Sequence, residues 1–325
     1  MKLLRKISLP FVPVYHFITW ARNSFYDLGL LNSRTYEIPI ICVGNLSVGG
    51  TGKSPMVEYL IRLLGHNHKL AILSRGYKRK SKGFILAGAD ATVEQIGDEP
   101  LQFHSKFKDI IVAVDADRQH GIDQLLQLGA ETIILDDAYQ HRRVEAGLNI
   151  LLTTFAQPFY KDYTLPTGNL REPRSGAQRA DIIVFTKCPQ DLNDAQKAEM
   201  IHELRPLKHQ KVFFSKIAYA PVPEEIKRKD SFTLVTGIAN PKPLVTHLKN
   251  QNLEFEHLQY PDHHEFTASE IELLKTKSVI LTTEKDYMRL NDHISKDKIF
   301  FLPIEVAIGK SEEFNELIKG FVDKL

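Results

Sequence analysis

The sequence predicts an α/β fold in which a doubly wound, mostly parallel sheet is joined to a second, smaller α/β domain by a two-stranded hinge. Three observations predict it. Short apolar runs alternate with helical patterns over the first two thirds of the chain, a shorter set of such elements follows, and two similar β-rich segments flank that set. At 325 residues the chain has room for two domains with ample cores.

The apolar runs in the first part are expected to be strands buried on both faces, because they are continuous rather than alternating. They cover residues 38–43, 69–73, 109–114, 132–135, 148–153 and 181–185. Between them, apolar residues recur at helical spacing, as in Val57, Leu60, Ile61 and Leu64. Strands that alternate with helices in this way form parallel, doubly wound sheets.

The second set of elements spans residues 231–283. Strands are expected at 231–235, 254–259 and 278–283, and helices at 243–249 and 267–275. The capping box Thr267-x-x-Glu270 opens the second of these helices.

The flanking segments "KVFFSKIAYAPVP" (211–223) and "KIFFLPIEVAI" (298–308) are expected to pair as a hinge ribbon. The chain then divides into three regions. They are an N-terminal helix over 1–31, a core over 32–210 to which 309–325 returns, and the hinge strands with the small domain over 211–308.

The first 31 residues are expected to form a helix that lies in the interface of a membrane. The segment is rich in aromatic side chains, and its charged neighbours up to residue 35 are mostly basic: Lys2, Arg5, Lys6, Arg22 and Arg34, against Asp27. Its uncharged stretch, 7–21, is shorter than the roughly 20 apolar residues of a spanning helix, and no signal-peptide cleavage pattern follows. The alternative is an apolar helix packed on the domain.

Charge and cysteine content exclude several classes of protein. A formal net charge of +2 argues against a nucleic-acid coat protein, and no nucleic acid or obligate protein partner is expected. The two cysteines, Cys42 and Cys188, each end an apolar run and are expected to be reduced and buried. Their number and spacing indicate neither a metal site nor a disulfide framework.

The segment "GNLSVGGTGKSP" (44–55) follows the first strand and precedes a helix. It matches the P-loop template at Gly52-Lys53-Ser54, with Ser47 where the template has its first glycine. The expected phosphate cradle consists of Ser47, Val48, Gly49, Gly50, Thr51, Gly52, Lys53 and Ser54. Lys53 would meet the β- and γ-phosphates of a nucleotide, and the Ser54 hydroxyl would coordinate Mg²⁺. The predicted fold is therefore P-loop NTPase-like.

A second magnesium partner is expected at the end of a neighbouring strand. In "TIILDDAYQH" the acids Asp136 and Asp137 follow a buried strand, as in a Walker B site. The similar stretch "VAVDADR" offers Asp115 and Asp117, which are either a further acidic pair or a cap of the following helix.

A kinase also needs a group that receives the proton of the acceptor hydroxyl. The segment "QIGDEP" offers Asp98 and Glu99 in what reads as a loop, and "YPDHHEF" offers His263 and His264. Each pair is either catalytic or solvated. At "VFTKCP" (184–189), Pro189 replaces the acid of a guanine-reading motif, which favours ATP over GTP.

The ordered motifs "VGNLSVGGTGKSP", "LSRGYKRK", "GDEP", "LDDAYQH", "GNLREP", "TGIANP", "DHHEF" and "TTEKD" resemble the tetraacyldisaccharide 4'-kinase family of lipid A synthesis. The resemblance implies transfer of the ATP γ-phosphate to the 4'-hydroxyl of tetraacyldisaccharide 1-phosphate, giving the 1,4'-bisphosphate, lipid IVA. It also implies Mg²⁺ and a peripheral location on the cytoplasmic face of the bacterial inner membrane.

The resemblance also implies roles for individual residues. Lys53 and Ser54 would serve phosphate and Mg²⁺, and Asp136 and Asp137 would form the Walker B pair. Asp98 would take the acceptor proton, with His263 as its partner. Gln140 would lie near the Walker B pair, and Arg171 and Glu172 would be active-site supports. The chain departs from the family pattern at Ser54, usually threonine, and at Ala138 and Tyr139, usually glycine and phenylalanine; the hydroxyl of Ser54 is kept.

The basic run over 75–82, which includes Arg75, is either a solvated loop or a contact for phospholipid headgroups or the substrate's 1-phosphate. Because Asp98 belongs to the large domain and His263 to the small one, we expect hinge closure to bring them together. Two alternatives are a nucleotide-switch ATPase or GTPase acting on a protein or metal partner, and a kinase for a soluble metabolite. The first lacks a guanine reader and a metal-binding cluster, and the second leaves the N-terminal segment unexplained.

Overall fold

The computed structural model describes residues 9–262 and 264–324. Within these ranges the strands form two sheets, one of nine strands in the order β13-β8-β7-β6-β1-β5-β2-β4-β3 and one of four in the order β10-β9-β11-β12. The predicted fold class, a large and mostly parallel sheet with a second, smaller one, is confirmed.

The large sheet is parallel except at its two edges, where β3 runs antiparallel to β4 and β13 antiparallel to β8. Its strands are β1 Ile40–Asn45, β2 Leu70–Ser74, β3 Ile85–Leu86, β4 Ile111–Val114, β5 Thr132–Asp136, β6 Leu148–Thr154, β7 Ile182–Thr186, β8 Lys211–Tyr219 and β13 Ile304–Ile308. Strand β1 lies between β5 and β6, so the loop that follows it opens at the middle of the carboxyl edge. Ligands of open parallel sheets bind at this edge.

Helices cover both faces of the large sheet. They include α1 Val12–Asp27, α2 Lys53–Leu64, α3 Val93–Ile96, α4 Asp98–Lys106, α5 Arg118–Gln127, α6 Asp194–Leu204 and α11 Ser311–Val322. Alternate residues of β1 divide between the two cores: Ile41 and Val43 pack in the cluster that contains Phe314, whereas Ile40 and Cys42 pack in the one that contains Ile122. The last helix thus packs on the large sheet. Cys42 and Cys188 are buried and unbridged, as expected.

The small sheet is parallel throughout. Its strands are β9 Phe232–Thr236, β10 Phe255–Gln259, β11 Ile280–Thr283 and β12 Ile299–Leu302, with helices α7 Glu224–Lys227, α8 Lys242–Asn250, α9 Ala268–Lys275 and α10 Glu284–Leu290. The expectation that the unit ends at residue 283 is wrong, because α10 and β12 complete it. The predicted capping box is present. The Thr267 hydroxyl accepts a hydrogen bond from the Glu270 N–H, and the Glu270 carboxylate accepts one from the Thr267 N–H.

The segment "KIFFLPIEVAI" serves both sheets. Residues Ile304–Ile308 pair antiparallel with β8, as expected of a ribbon, but Ile299–Leu302 pair with β11 of the small sheet. Pro303 separates the two halves, and proline, which has no N–H, interrupts a strand. Since β8 also pairs with β7, the ribbon extends the large sheet.

Helix α1 carries many of the exposed large apolar side chains. Phe11 before it, and Val14, Phe17, Ile18, Trp20 and Phe25 within it, are exposed, as are Leu28, Leu30 and Leu31 after it. Among the described residues, none of the helices has the length and apolar character needed to cross a membrane. The segment 1–8, part of the predicted interfacial region, lies outside the described residues.

Candidate active site

The P-loop fills the gap between the end of β1 and the start of α2. Gly49 and Gly52 have φ angles of 106° and 90°, which a side chain would strain. Three side chains hold the loop by donating hydrogen bonds to its carbonyl groups. Asn45 donates to the Ser47 carbonyl at 2.7 Å, and Thr186 donates to the Thr51 carbonyl at 2.7 Å. Lys187 donates to the Gly50 carbonyl at 2.6 Å. The Val48 N–H also donates to the Asn169 carbonyl, at 2.8 Å, and the loop so held lies beside a helix N-terminus, which suits phosphate.

The two polar side chains that begin α2 meet acids from different elements. The Lys53 ammonium lies 3.6 Å from the Asp137 carboxylate, and the Ser54 hydroxyl donates to Glu99 at 2.7 Å. The P-loop therefore faces acidic groups on two sides.

Asp136 ends β5 and is 1% exposed. Ser74 donates to one of its carboxylate oxygens at 3.2 Å, while the other, Oδ1, has no hydrogen-bond partner in the described part of the chain. Burial raises the pKa of Asp136 well above its usual value, and the negative charges of Glu99 and Asp137 raise it further. A buried acid with an unsatisfied oxygen is suited to a bound cation.

The oxygen donors Ser54, Asp136 and Asp137 fit Mg²⁺, which prefers hard oxygen ligands. Within residues 9–262 and 264–324, no three His, Cys, Asp or Glu side chains form a metal cage. Mg²⁺ usually takes one or two carboxylates together with substrate phosphates and water, so a complete cage is not required. Asp137 has a φ angle of 50°, a conformation uncommon for residues with side chains and often found at functional sites.

A network of side chains behind the Walker B loop, here named the support network, holds Asp137 and the end of β1. Its members are Asn23, Asp137, Gln140, Arg171, Glu172 and Arg179. Arg171 donates to Asp137 at 2.9 Å, and Gln140 donates to the Asn45 carbonyl at 2.8 Å and to Glu172 at 3.0 Å.

Glu172 is the fully buried centre of this network. Its carboxylate pairs with Arg179 at 2.9 Å and accepts a hydrogen bond from Asn23 of helix α1. A second contact from α1 is made by Tyr15, whose hydroxyl donates to the Arg171 carbonyl at 2.8 Å. The predicted supports Arg171 and Glu172 thus lie together with Gln140, and α1 is joined to them.

A second network, here named the bridging network, connects the front of the P-loop to the small sheet. Its members are Ser54, Asp98, Glu99, Lys285, Asp286 and Arg289. Arg289 forms an ion pair with Asp98 and, at 3.0 Å, with Asp286. Lys285 forms an ion pair with the Glu99 oxygen that accepts from Ser54.

Asp98 and Glu99 lie in the first turn of α4, not in a loop as expected. Gly97, with a φ angle of 90°, directly precedes the helix and allows the chain to turn sharply into it. The apolar spacing before Asp98 therefore gives no indication that a helix begins there. Acids in a first turn are favoured by the helix dipole. Although burial opposes ionisation of Glu99, the positive charges of Lys285 and Lys53 lower its pKa below the usual value.

The predicted partner of Asp98, His263, lies outside the described residues. Its neighbour His264 pairs with Glu270 at 2.9 Å and stacks on Tyr260, which gives it a structural role at the start of α9. The pairing of Asp98 with His263 therefore remains a prediction.

The acids of "VAVDADR" have structural partners. Asp117 caps α5 by accepting from the Gln119 and His120 N–H groups, and Asp115 lies 2.7 Å from the His120 ring. The capping alternative is confirmed for Asp117.

Within the basic run, Arg79 donates to the Gly83 carbonyl at 2.7 Å and Lys80 pairs with Glu94, so these two hold the local chain. Arg75 is exposed. Burial, and then the charge of Arg75, lower the pKa of the nearby buried Arg118.

Sequence reasoning assigned no role to Lys285 or Arg289. Lys285 belongs to the motif "TTEKD", but the sequence around a lysine at the start of a helix does not indicate which element its side chain will contact. Asn23 gave no sequence signal, because its partner Glu172 is distant in the chain.

Comparisons with known proteins cover nearly the whole chain. The family model described as LpxK, tetraacyldisaccharide-1-P 4'-kinase, matches residues 4–323. The tetraacyldisaccharide 4'-kinases of Flavobacterium johnsoniae and Phocaeicola vulgatus are 49% and 43% identical over 99% of this chain, and 98% and 96% of theirs is covered. A crystal structure of "apo" form LpxK from Aquifex aeolicus in complex with ATP matches with a TM-score of 0.80 at 32% identity, over 98% of this chain and 99% of that one.

Proposed function

This chain belongs to the tetraacyldisaccharide-1-P 4'-kinase family, and from that premise we propose how its P-loop edge carries out the reaction. The protein is an ATP-dependent kinase that phosphorylates the 4'-hydroxyl of tetraacyldisaccharide 1-phosphate in lipid A synthesis. One observation carries the proposal: Lys53 and Ser54 face Asp137 and Glu99, with Asp98 adjacent in the same helical turn.

In the proposal the loop over 47–54 binds the phosphates of ATP. The N–H groups of the loop and the Lys53 ammonium neutralise their charge, and Lys53 exchanges its 3.6 Å contact with Asp137 for a phosphate oxygen. Phosphoryl transfer depends mainly on positioning and charge neutralisation, which this rigid edge provides.

Ser54, Asp136 and Asp137 are proposed to hold Mg²⁺. The ion would supply positive charge that offsets the negative charge of the phosphates. The unsatisfied Oδ1 of Asp136 supports this assignment. We propose that the Walker B loop is fixed by Gln140, Arg171 and Glu172. Arg171 donates a hydrogen bond to Asp137, and Glu172 accepts a hydrogen bond from Gln140 and forms an ion pair with Arg179.

Asp98 is proposed as the group that receives the proton. As the 4'-oxygen bonds to the γ-phosphorus, the bond from that phosphorus to the bridging oxygen of ADP breaks, and the hydroxyl proton passes to the Asp98 carboxylate. Asp98 is nearly buried and is paired with Arg289, so substrate entry must loosen that ion pair. His263 is proposed to orient Asp98, and Glu99 to orient Ser54.

Helix α1 is proposed to hold the enzyme on the membrane that contains its acylated substrate. Phe17 and Trp20 are 62% and 48% exposed on a helix that also carries Arg22. Aromatic side chains at a headgroup boundary with nearby basic residues suit anionic lipid. Peripheral attachment to the cytoplasmic face of the inner membrane, and contact of Arg75 with the 1-phosphate or with headgroups, belong to this proposal.

The division into an interfacial helix (1–31), a core (32–210 with 309–325) and a hinge with the small domain (211–308) is proposed to allow closure. The ion pairs of the bridging network support it, because they join the two sheets at the place where the nucleotide phosphates would bind.

The proposal is tested with γ-³²P-ATP, tetraacyldisaccharide 1-phosphate and chromatography of the labelled lipid. Lys53→Ala should lower kcat/KM for ATP by at least about a hundredfold, because it removes a charge from the phosphate cradle. Lys69→Ala, which lies just before β2 and away from the loop, is the matched control and should keep wild-type kinetics. Normal ATP kinetics in Lys53→Ala would refute the cradle.

A further inference from the structure

Lys285 carries a positive charge from the small sheet to the mouth of the P-loop. It is the second residue of α10, and its ammonium contacts the same Glu99 oxygen to which the Ser54 hydroxyl donates. The ammonium and the Ser54 hydroxyl are therefore no more than two hydrogen-bond lengths apart. Ser54 belongs to the loop over 47–54 that is proposed to bind the phosphates of ATP, so Lys285 lies within reach of a phosphate bound there.

The backbone on either side of Lys285 is fixed. Buried Asp286 accepts from the Gly237 N–H at 2.8 Å and from the Thr283 hydroxyl at 2.8 Å, which anchors the first turn of α10 to the small sheet. Glu284 pairs with Lys106 of α4 at 2.6 Å, which anchors the same turn to the large sheet. The long lysine side chain between these anchors is free to exchange one oxygen partner for another.

The other lysines of this region have different positions. Lys53 pairs with Asp137 inside the cradle, and Lys187 donates to the Gly50 carbonyl on the loop itself. Both belong to the large sheet. Burial, followed by the charges of Lys285 and Lys53, lowers the pKa of Lys187, because neighbouring positive charges disfavour a further one. Such a concentration of positive charge suits a polyanion.

We infer that Lys285 is a ligand of the γ-phosphate of ATP, contributed by the small sheet. On nucleotide binding its ammonium exchanges the Glu99 carboxylate for a terminal phosphate oxygen and so joins the two sheets through the nucleotide. ADP, which lacks that phosphate, gives Lys285 no such partner. The inference rests on the proposed cradle over 47–54 and assigns to "TTEKD" the task of distinguishing ATP from ADP.

The test compares nucleotide affinities, so that no turnover is needed. The full-length protein is titrated by calorimetry, with Mg²⁺ present, with ADP and with the β,γ-imido analogue of ATP. Lys285→Met should weaken binding of the analogue about tenfold or more, the usual effect of losing a charge-assisted hydrogen bond, and change ADP binding less than about twofold. Lys285→Arg, which keeps the charge, should recover part of the loss.

Two further variants make the result decisive. Lys277→Met removes a lysine of the same unit that pairs with Glu256, and it should bind both nucleotides like the wild type. Lys53→Met should weaken both nucleotides; if it weakens neither, the cradle itself is wrong. If Lys53→Met behaves as expected but Lys285→Met weakens neither nucleotide, or both equally, Lys285 is no γ-phosphate ligand. Melting temperatures of all variants confirm that they are folded.

Discussion

The two networks that flank the P-loop differ in what they connect. The support network lies within the large sheet and α1, and its centre, Glu172, is fully buried with three partners. The bridging network joins the large sheet to the small one through Asp98–Arg289 and Glu99–Lys285. The first therefore holds the Walker B loop in place, whereas the second consists of ion pairs that substrates would displace under the proposed function. The following variants are expected to separate stability from turnover along that division.

The largest effect is expected at Asp98 in the bridging network. Asp98→Ala should lower kcat by roughly a thousandfold, because it removes the proposed proton acceptor, while ATP affinity stays within about threefold. Rapid-quench assays with γ-³²P-ATP measure the chemical step, and Asp109→Asn, an exposed acid before β4, is the control. An Asp98→Ala enzyme that turns over normally would remove Asp98 from the mechanism.

The next effect is on stability, in the support network. Glu172→Ala should lower the free energy of unfolding by about 3 kcal/mol, because it leaves Arg179 and Asn23 without their buried partner. Urea denaturation followed by circular dichroism measures the change. Glu224→Ala, which breaks an exposed ion pair with Lys227, should lower the free energy of unfolding much less, because solvent screens that pair. Equal losses in the two variants would show that burial does not distinguish this network.

A smaller effect is expected where the support network reaches α1. The double variant Phe17→Ser and Trp20→Ser should weaken binding to vesicles that contain phosphatidylglycerol by about tenfold or more, because both side chains are exposed. Sedimentation with the vesicles measures the bound fraction. Leu207→Ser, another exposed apolar residue, is the control. Unchanged vesicle binding would assign the exposed face of α1 to some other partner.

The smallest effect is on the pH dependence of the nucleotide-free protein. The pKa of Asp136 is raised in the folded state, so the folded protein holds this proton more tightly than the unfolded chain. The contribution of this proton to the free energy of unfolding is therefore complete below the ordinary aspartate pKa and is lost as the pH rises through the raised pKa. In EDTA, the melting temperature of Asp136→Asn should therefore exceed that of the wild type by an amount that grows between pH 5 and pH 8. A constant difference over that range would contradict the raised pKa.

The sequence predicted those features that local pattern determines. The strand, the glycines and the Lys-Ser pair of the P-loop are contiguous, and Asp136 with Asp137 directly follow an apolar run, so these elements are found where expected. Asp98 in a helix was not anticipated, because Gly97 starts α4 without a periodic approach.

The cross-sheet partners could not be predicted at all. Glu99 and Lys285 are separated by 186 positions, and only the packing of α10 against α4 brings them together. The split of residues 298–308 between two sheets has the same origin, since both halves have the same β-like composition and only Pro303 divides them.

The central claim is that the P-loop over 47–54 binds the triphosphate of ATP beside Asp98, at the carboxyl edge of β1. A crystal structure of the protein with Mg²⁺ and the β,γ-imido analogue of ATP tests it most directly. We expect phosphate oxygens within hydrogen-bonding distance of the Gly50 N–H and the Lys53 ammonium. A nucleotide bound elsewhere, with its phosphates away from Gly50 and Lys53, would contradict it.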